Sequence, residues 1–245
     1  MSCPGTSCST RERSMQNLAD AGRMAALGEL AAGVAHNFGN VLMGVSVTLE
    51  LLQMRAEKEP GLSGMVETIT GAQAEVDRGA DIIQRLLSLS RGNPIMVTAV
   101  NPWLAADNAI ALCSTHPNAK KVPLVNLIPN DPPSVKADAS LLEEVMVNLI
   151  LNSLQASDAG EIRIELQERD HRVGISISDN GCGIAREDMD KIFDPFFTHR
   201  KTGSGTGLGL PCSQNQIRNM GGDIVVESQL GIGSTFTIIL PKWVE

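Results

Sequence analysis

The chain has 245 residues, enough for one large or two small domains, and a formal net charge of -8. That balance excludes the basic surface expected of a nucleic-acid binder, and the absence of tyrosine with only 3% aromatic residues excludes an aromatic platform for stacking bases. Five cysteines, at positions 3, 8, 113, 182 and 212, form no CxxC pair and read as reduced thiols in a cytosolic setting.

In chain order, residues 1–19 read as a disordered, Ser/Thr-rich leader, and MSCPGTSCSTRERS lacks the apolar core of a signal peptide. No apolar run approaches the roughly 18 residues that a membrane helix requires. From Met24 to about Lys58, Leu27, Leu30, Val34, Phe38, Val41, Val45, Leu49 and Leu52 recur at threes and fours, predicting a long amphipathic helix. Pro60 and Gly61 break it, and Met65, Ile69, Ala72, Val76, Ala80, Ile83 and Leu87 continue the same period in a second helix. The hairpin occupies 20–91. Two such helices only half bury their stripes against each other, so the pair is expected to form a four-helix bundle with a second copy.

RGNP, residues 91–94, reads as a linker into a second domain over 92–245. There the runs IMVTAV, KVPLVNLI, EIRIELQE, HRVGISISD, DIVVES and STFTIIL read as strands. Helices are expected near 101–113, 139–157 and 207–220. This irregular interleaving predicts an α+β sandwich rather than a strict βαβ alternation.

The chemistry concentrates in this second domain. GSGTGLGL, Gly203 to Leu210, places four glycines in seven positions; each would cost about 1 kcal/mol in a helix, so the backbone there serves close approach, as to a phosphate at a helix start. Neither GxxxxGK[ST] nor a GxGxxG opening a βαβ unit is present. Asn148 and Asn152 in NLILN lie four apart, hence on one helix face, crowded by Leu149, Ile150, Leu151 and Leu154. Asp179 ends an alternating strand and opens DNGCG with Gly181 and Gly183. An Asp-Asn-Gly turn is common on its own, but FDPFF, Phe193 to Phe197, and GIGSTF, Gly231 to Phe236, follow in order.

These ordered boxes resemble the catalytic ATP-binding domain of sensor histidine kinases, of the Bergerat type shared with gyrase and Hsp90, and the resemblance covers roughly residues 20–242. It implies that Asn152 holds the magnesium ion of Mg-ATP, with Asn148 in support, and that Asp179 accepts from the adenine amino group. It also implies that Gly181 and Gly183 pass under the base. FDPFFTHRKTGSGTG becomes a mobile lid beginning at Phe193. In it Arg200 and Lys201 offset phosphate charge, and Gly203, Gly205, Thr206, Gly207, Leu208 and Gly209 bring amides to the phosphates. Relatives that hydrolyse ATP carry a water-activating Glu four residues before the metal Asn. Asn148 stands there instead, so the site resembles one that transfers phosphate to a side chain.

GELAAGVAHNFGNVL, Gly28 to Leu42, resembles the H-box of the same family, which makes His36 the phosphate acceptor. With Leu27, Val34 and Val41 on the core seam, His36 lies about 200 degrees round from Val34 and faces solvent. An exposed imidazole, with an unperturbed pKa near 6.5, is mostly neutral at cytosolic pH and keeps the lone pair that attack requires. Family members usually carry an acid after the histidine and often a proline five residues on; Asn37 and Val41 occupy those positions. Asn37 can hold the ring's tautomer but takes up no proton, so slower self-phosphorylation is expected. Asn40, one turn beyond His36, matches the family position that orients water for dephosphorylating a partner. His116, His171 and His199 are read as surface residues.

The implied activity is autophosphorylation of His36 followed by transfer to an aspartate of a response-regulator receiver domain, in a cytoplasmic homodimer; either the sequence is a piece of a longer chain or its input is expected from an upstream sensor protein that touches the bundle. The alternative is a degenerate kinase that acts as a regulator-binding or phosphatase module. A serine kinase or plain ATPase of the same superfamily is disfavoured by the hairpin and by Asn148.

Overall fold

The computed structural model describes residues 38–90, 95–156, 160–198 and 206–244. The chain divides into two compact units, one ending at Asn93 and the other beginning at Pro94. Among the described residues no helix is long and apolar enough to cross a membrane.

The first unit is a pair of helices. α1 is helical through 38–58, a 3-10 turn covers Pro60–Met65, and α2 runs Val66–Ser90. The turn is tied where Glu59 N–H donates to Arg55 O at 3.0 Å and Leu62 N–H to Glu59 O at 2.9 Å. The seam between the helices differs from the expected one. Leu42 packs against Gly79, the Ser46 hydroxyl accepts from Gln73 Nε2 at 2.8 Å, and Ala56 and Ile69 are buried. Val41, expected on the seam, is 61% exposed, and Phe38, Val45 and Leu52 are also open. At 100 degrees per residue these four lie on a flank of α1 beside the line through Leu42, Ser46 and Leu49. The described part of the stripe read from the sequence therefore falls mostly on a flank left uncovered in the single chain, and only its Leu49 lies on the line turned to α2. Met65, expected on the second helix, sits in the 3-10 turn and is half exposed.

The second unit is a sandwich of three helices on a sheet. Its elements are β1 (Thr98–Val100), α3 (Pro102–Cys113), a 3-10 turn (Pro117–Lys120), β2 (Leu124–Asn126), β3 (Val135–Ala137) and α4 (Ala139–Ala156). β4 (Ile162–Arg169), β5 (Arg172–Asp179), α5 (Gly209–Asn219), β6 (Asp223–Gln229) and β7 (Gly233–Pro241) complete it. The five-stranded sheet has the order β2-β4-β5-β7-β6, antiparallel except for the β2–β4 pair, while β1 and β3 form a separate antiparallel pair. β3 is absent from the sequence reading: at three residues it has no readable period, and it exists through pairing with β1. β2 is shorter than the run KVPLVNLI because Pro123 has no N–H for a ladder; its carbonyl instead accepts from Ile162 N–H at 2.9 Å.

One face of the sheet is apolar and one is wet, as strict alternation dictates. Val173, Ile175 and Ile177 of β5 and Phe236, Ile238 and Leu240 of β7 point into the core, where they meet Leu142, Met146, Leu149 and Ile150 of α4 and Ile217 of α5. Across the other face Ser178 and Thr235 hydroxyls pair at 3.0 Å. Among the described residues Cys113, Cys182 and Cys212 are in no disulfide, and burial pushes the Cys113 thiol up to about 11, which leaves it inert.

Both N-terminal helices of this unit are capped by side chains. Asn101 Oδ1 accepts from Trp103 N–H at 2.9 Å to start α3, with Pro102 in the first turn. Asp138 starts α4: its Oδ1 accepts from Ser140 N–H at 3.1 Å and Ser140 Oγ at 2.7 Å, and its Oδ2 from Met96 N–H at 3.0 Å. The Ser140 hydroxyl, chiefly, and these backbone donors hold the Asp138 carboxyl below the usual carboxylate range, against a smaller opposing push from burial. A depressed folded pKa stabilises the fold above the unfolded value near 3.9, and that contribution is lost as the pH falls through the folded one. Asp138→Ala is expected to cost about 1 kcal/mol in urea unfolding at pH 7. The difference from wild type should shrink as the pH falls below about 4, and an unchanged difference at low pH would contradict the assignment.

Candidate functional site

α4 carries the polar side chains of the site along a helix that is otherwise apolar. From Val145 to Leu154 no residue is exposed. Asn148 and Asn152, four apart, are both half-buried and share a face. Asn148 Nδ2 donates to Ser213 Oγ at 2.9 Å, which ties the middle of α4 to the first turns of α5. The Asn148 oxygen lies at the start of α5: a Cβ built on Gly209 would stand 2.4 Å from Asn148 Oδ1. Any side chain at 209 would displace the amide, so this glycine is required by close approach to a side chain. Leu208 caps α5 with no side-chain hydrogen bond. First-turn amides without a side-chain cap, at the positive end of the helix dipole, suit an anion.

Asp179 arrives from the other direction, at the end of β5. Its Oδ1 accepts from Gly181 N–H at 2.9 Å and its Oδ2 from the Ser153 hydroxyl at 3.0 Å. β5 thus ends against the last turn of α4, where Ala156 O also accepts from Cys182 N–H at 3.1 Å. Gly183 has φ +67, and a Cβ there would meet Gln229 O at 2.1 Å. The close contact this glycine permits is with the backbone of the β6–β7 turn, whose Gly231 N–H donates to Cys182 O at 2.7 Å. A shallow pocket beside Asp179 is lined by Glu227, Ser228, Ile232 and Ser234 among others.

The segment after β5 winds through successive turns from Ala185 to Phe197. Phe193 and Phe197 are half-buried against the hydrophobic core, whereas Phe196 is 55% exposed with φ +69. Phe196 N–H donates to Gly207 O at 2.9 Å, and Leu208 N–H to Thr206 Oγ1 at 3.3 Å. Leu208 is itself fully buried, so only its backbone faces the site. Asn40 is exposed on α1. His36, Asn37, Arg200, Lys201, Gly203 and Gly205 lie outside the described residues, as does His199.

The structure therefore brings Asn148, Asn152, Asp179 and the start of α5 together around α4. Two residues at their centre, Ser153 and Ser213, are absent from the sequence reading. A signal for Ser153 existed. It falls three and four residues after Ile150 and Leu149, on the buried face, and a hydroxyl there needs a partner.

Residues 137–244 match the family model described as histidine kinase-, DNA gyrase B- and HSP90-like ATPase. The chain is 38% identical over 233 residues to the signal transduction histidine-protein kinase AtoS of Escherichia coli K12, covering 94% of this chain and 37% of that protein. It is 36% identical over 221 residues to the sensor histidine kinase ZraS of the same organism, covering 89% of this chain and 46% of that protein. The chain thus spans less than half the length of these curated relatives. Among solved structures, full-length ShkA in complex with AMPPNP superposes with a TM-score of 0.76 at 22% identity, over 89% of this chain and 46% of that one; this is a likeness of fold.

If Asn148 and Ser213 form one bond that joins α4 to α5, their removal should not be additive. Asn148→Ala and Ser213→Ala are each expected to cost about 1 kcal/mol in urea unfolding. The double variant should cost less than the sum by at least about 0.5 kcal/mol. Strict additivity would show that the two side chains act separately.

Proposed function

We propose that the chain is a sensor histidine kinase, an ATP-dependent protein-histidine kinase of two-component signalling, a reading supported by its likeness to AtoS and ZraS and by the matching family model. It phosphorylates its own His36 and passes the phosphoryl group to an aspartate of a response-regulator receiver domain. The observation that carries this reading is the convergence on α4 of the half-buried Asn148 and Asn152, the carboxylate of Asp179 and the glycine start of α5.

Each residue has a role that follows from its chemistry. Asp179, with acceptor oxygens only, suits the exocyclic amino group of adenine. The start of α5 suits the phosphates, because Gly209 keeps that approach clear and no side chain caps the helix. Magnesium, when bound, would offset phosphate charge, and we assign Asn152 to hold it as a neutral oxygen donor. Arg200 and Lys201 are assigned to the phosphates as the cations of the lid segment. His36 attacks the γ-phosphorus with a ring-nitrogen lone pair; the bond to the ADP oxygen breaks with its electrons leaving on ADP, and the ring sheds its proton. Asn37 does not accept that proton, so water or another group receives it.

The open flank of Phe38, Val41, Val45 and Leu52 supports a homodimer, because an apolar stripe of that length on a lone hairpin is unfavourable in water. We assign the protein to the cytoplasm, with its input reaching the bundle from an upstream sensor. The second reading, a regulator-binding or phosphatase module, draws on Asn37 and on the exposed Asn40.

Incubation with γ-labelled ATP and magnesium is expected to give acid-labile, alkali-stable label on the protein. His36→Ala should abolish it, and label retained in that variant would remove His36 as the acceptor. Asn37→Glu should raise the initial rate by about tenfold or more if proton uptake limits the step. Nucleotide binding without any label would select the second reading.

A further inference from the structure

Ser153 is the most enclosed polar residue of α4, 1% exposed, between a fully buried Ile150 and a fully buried Leu154. A hydroxyl in that setting must be satisfied, and its partner is the carboxylate of Asp179 at 3.0 Å. We propose, resting on the nucleotide-site reading of Asp179, that Ser153 is a positioning residue for base selection. Its hydroxyl fixes the carboxylate so that the site accepts an amino group at position 6 of a purine and turns away a carbonyl.

The last torsion of an aspartate is broad, and one hydrogen bond leaves the carboxylate free to swing about it. Here two donors from different elements hold the two oxygens separately: Gly181 N–H from the loop after β5 on Oδ1, and Ser153 Oγ–H from α4 on Oδ2. Together they define the plane of the group. Each oxygen has two lone-pair directions and each spends one, so each keeps one acceptor direction.

The hydroxyl proton of Ser153 is committed to Oδ2. What Ser153 and Asp179 present to a ligand is therefore acceptor only, which matches an amino group and opposes a carbonyl oxygen. The neighbouring hydroxyls do not stand in for it. Ser228 Oγ donates to Gly233 O at 2.9 Å, accepts from Ile184 N–H at 2.8 Å, and lies 3.0 Å from Ser234 Oγ. Ser228 is engaged with backbone on both sides, and the Ser234 hydroxyl is engaged with Ser228.

The test is calorimetric titration of the full chain, in magnesium, with ADP and with purine riboside diphosphate, which lacks the amino group. Wild type should prefer ADP. In Ser153→Ala that preference should fall by about five- to tenfold, the scale of one well-placed hydrogen bond, while affinity for the purine analogue stays within about twofold. Ser153→Cys, which keeps the shape but donates weakly, should behave like the alanine variant and serves if the latter does not fold. An unchanged preference in either folded variant, or equal weakening toward both nucleotides, would overturn the positioning role. Failure of wild type to bind ADP at all would instead remove the nucleotide-site reading on which the role depends.

Discussion

α4 has almost no wet side. Leu142, Val145, Met146, Leu149, Ile150 and Leu154 are inaccessible, packed between the sheet and the neighbouring helices, and no residue from Val145 to Leu154 is exposed. A helix enclosed to this degree does not rotate or slide without opening cavities, each costing a few kcal/mol. The polar side chains it carries are consequently fixed by packing before any ligand arrives. Asn148 reaches α5, Ser153 reaches the end of β5, and Asn152 stands between them. Both ends of the helix are tied as well, by Asp138 at the start and by Ala156 O to Cys182 N–H at the close. Preorganisation of this kind is what a site needs when its chemistry consists of holding a charged ligand in place.

The sandwich and its two layers were legible because strand and helix periods are strong where elements are long. β4, β5 and β7 alternate over eight or nine residues, and α4 holds an apolar pattern over 18. The pieces that could not be read are those whose existence depends on a partner. β3 is three residues that pair with β1, and β2 is trimmed by Pro123 to an edge in parallel register with β4. At the site, Asn148, Asn152 and Asp179 stood out as polar residues in apolar or glycine-marked surroundings. Ser153 carries only the weaker signal of a hydroxyl on the apolar face of α4, and Ser213, in a helix with no such apolar run beside it, becomes informative only when its burial is known.

The helical hairpin is legible as two helices and a turn, but its faces are not. Apolar residues at threes and fours were read as one stripe, but α1 has a face toward α2 through Leu42, Ser46 and Leu49 and a second flank through Phe38, Val41, Val45 and Leu52. A stripe wider than one helix contact is what a helix with two neighbours requires, and periodicity alone does not divide it. The division also puts a polar pair, Ser46 with Gln73, inside the seam of the hairpin. Such a pair contributes little to stability relative to apolar packing, but it penalises any sliding of α1 against α2, since a shift by one turn would separate the two groups.

Asn148 bears on the kind of chemistry proposed. At this position a glutamate would serve as a base for water, whereas the amide both donates to Ser213 and sets its oxygen against the first turn of α5. A carboxylate has no proton to give and would lose the donor half of that arrangement. Asparagine is therefore suited to holding α5 in register with α4, and it takes up no proton. The residue that most directly separates transfer to a side chain from transfer to water is, in this chain, part of the joint that keeps the start of α5 where an anion would sit. On the proposed reading, the lack of a base for water at position 148 and the fixed position of the start of α5 have one structural cause, the Asn148 amide and its bond to Ser213.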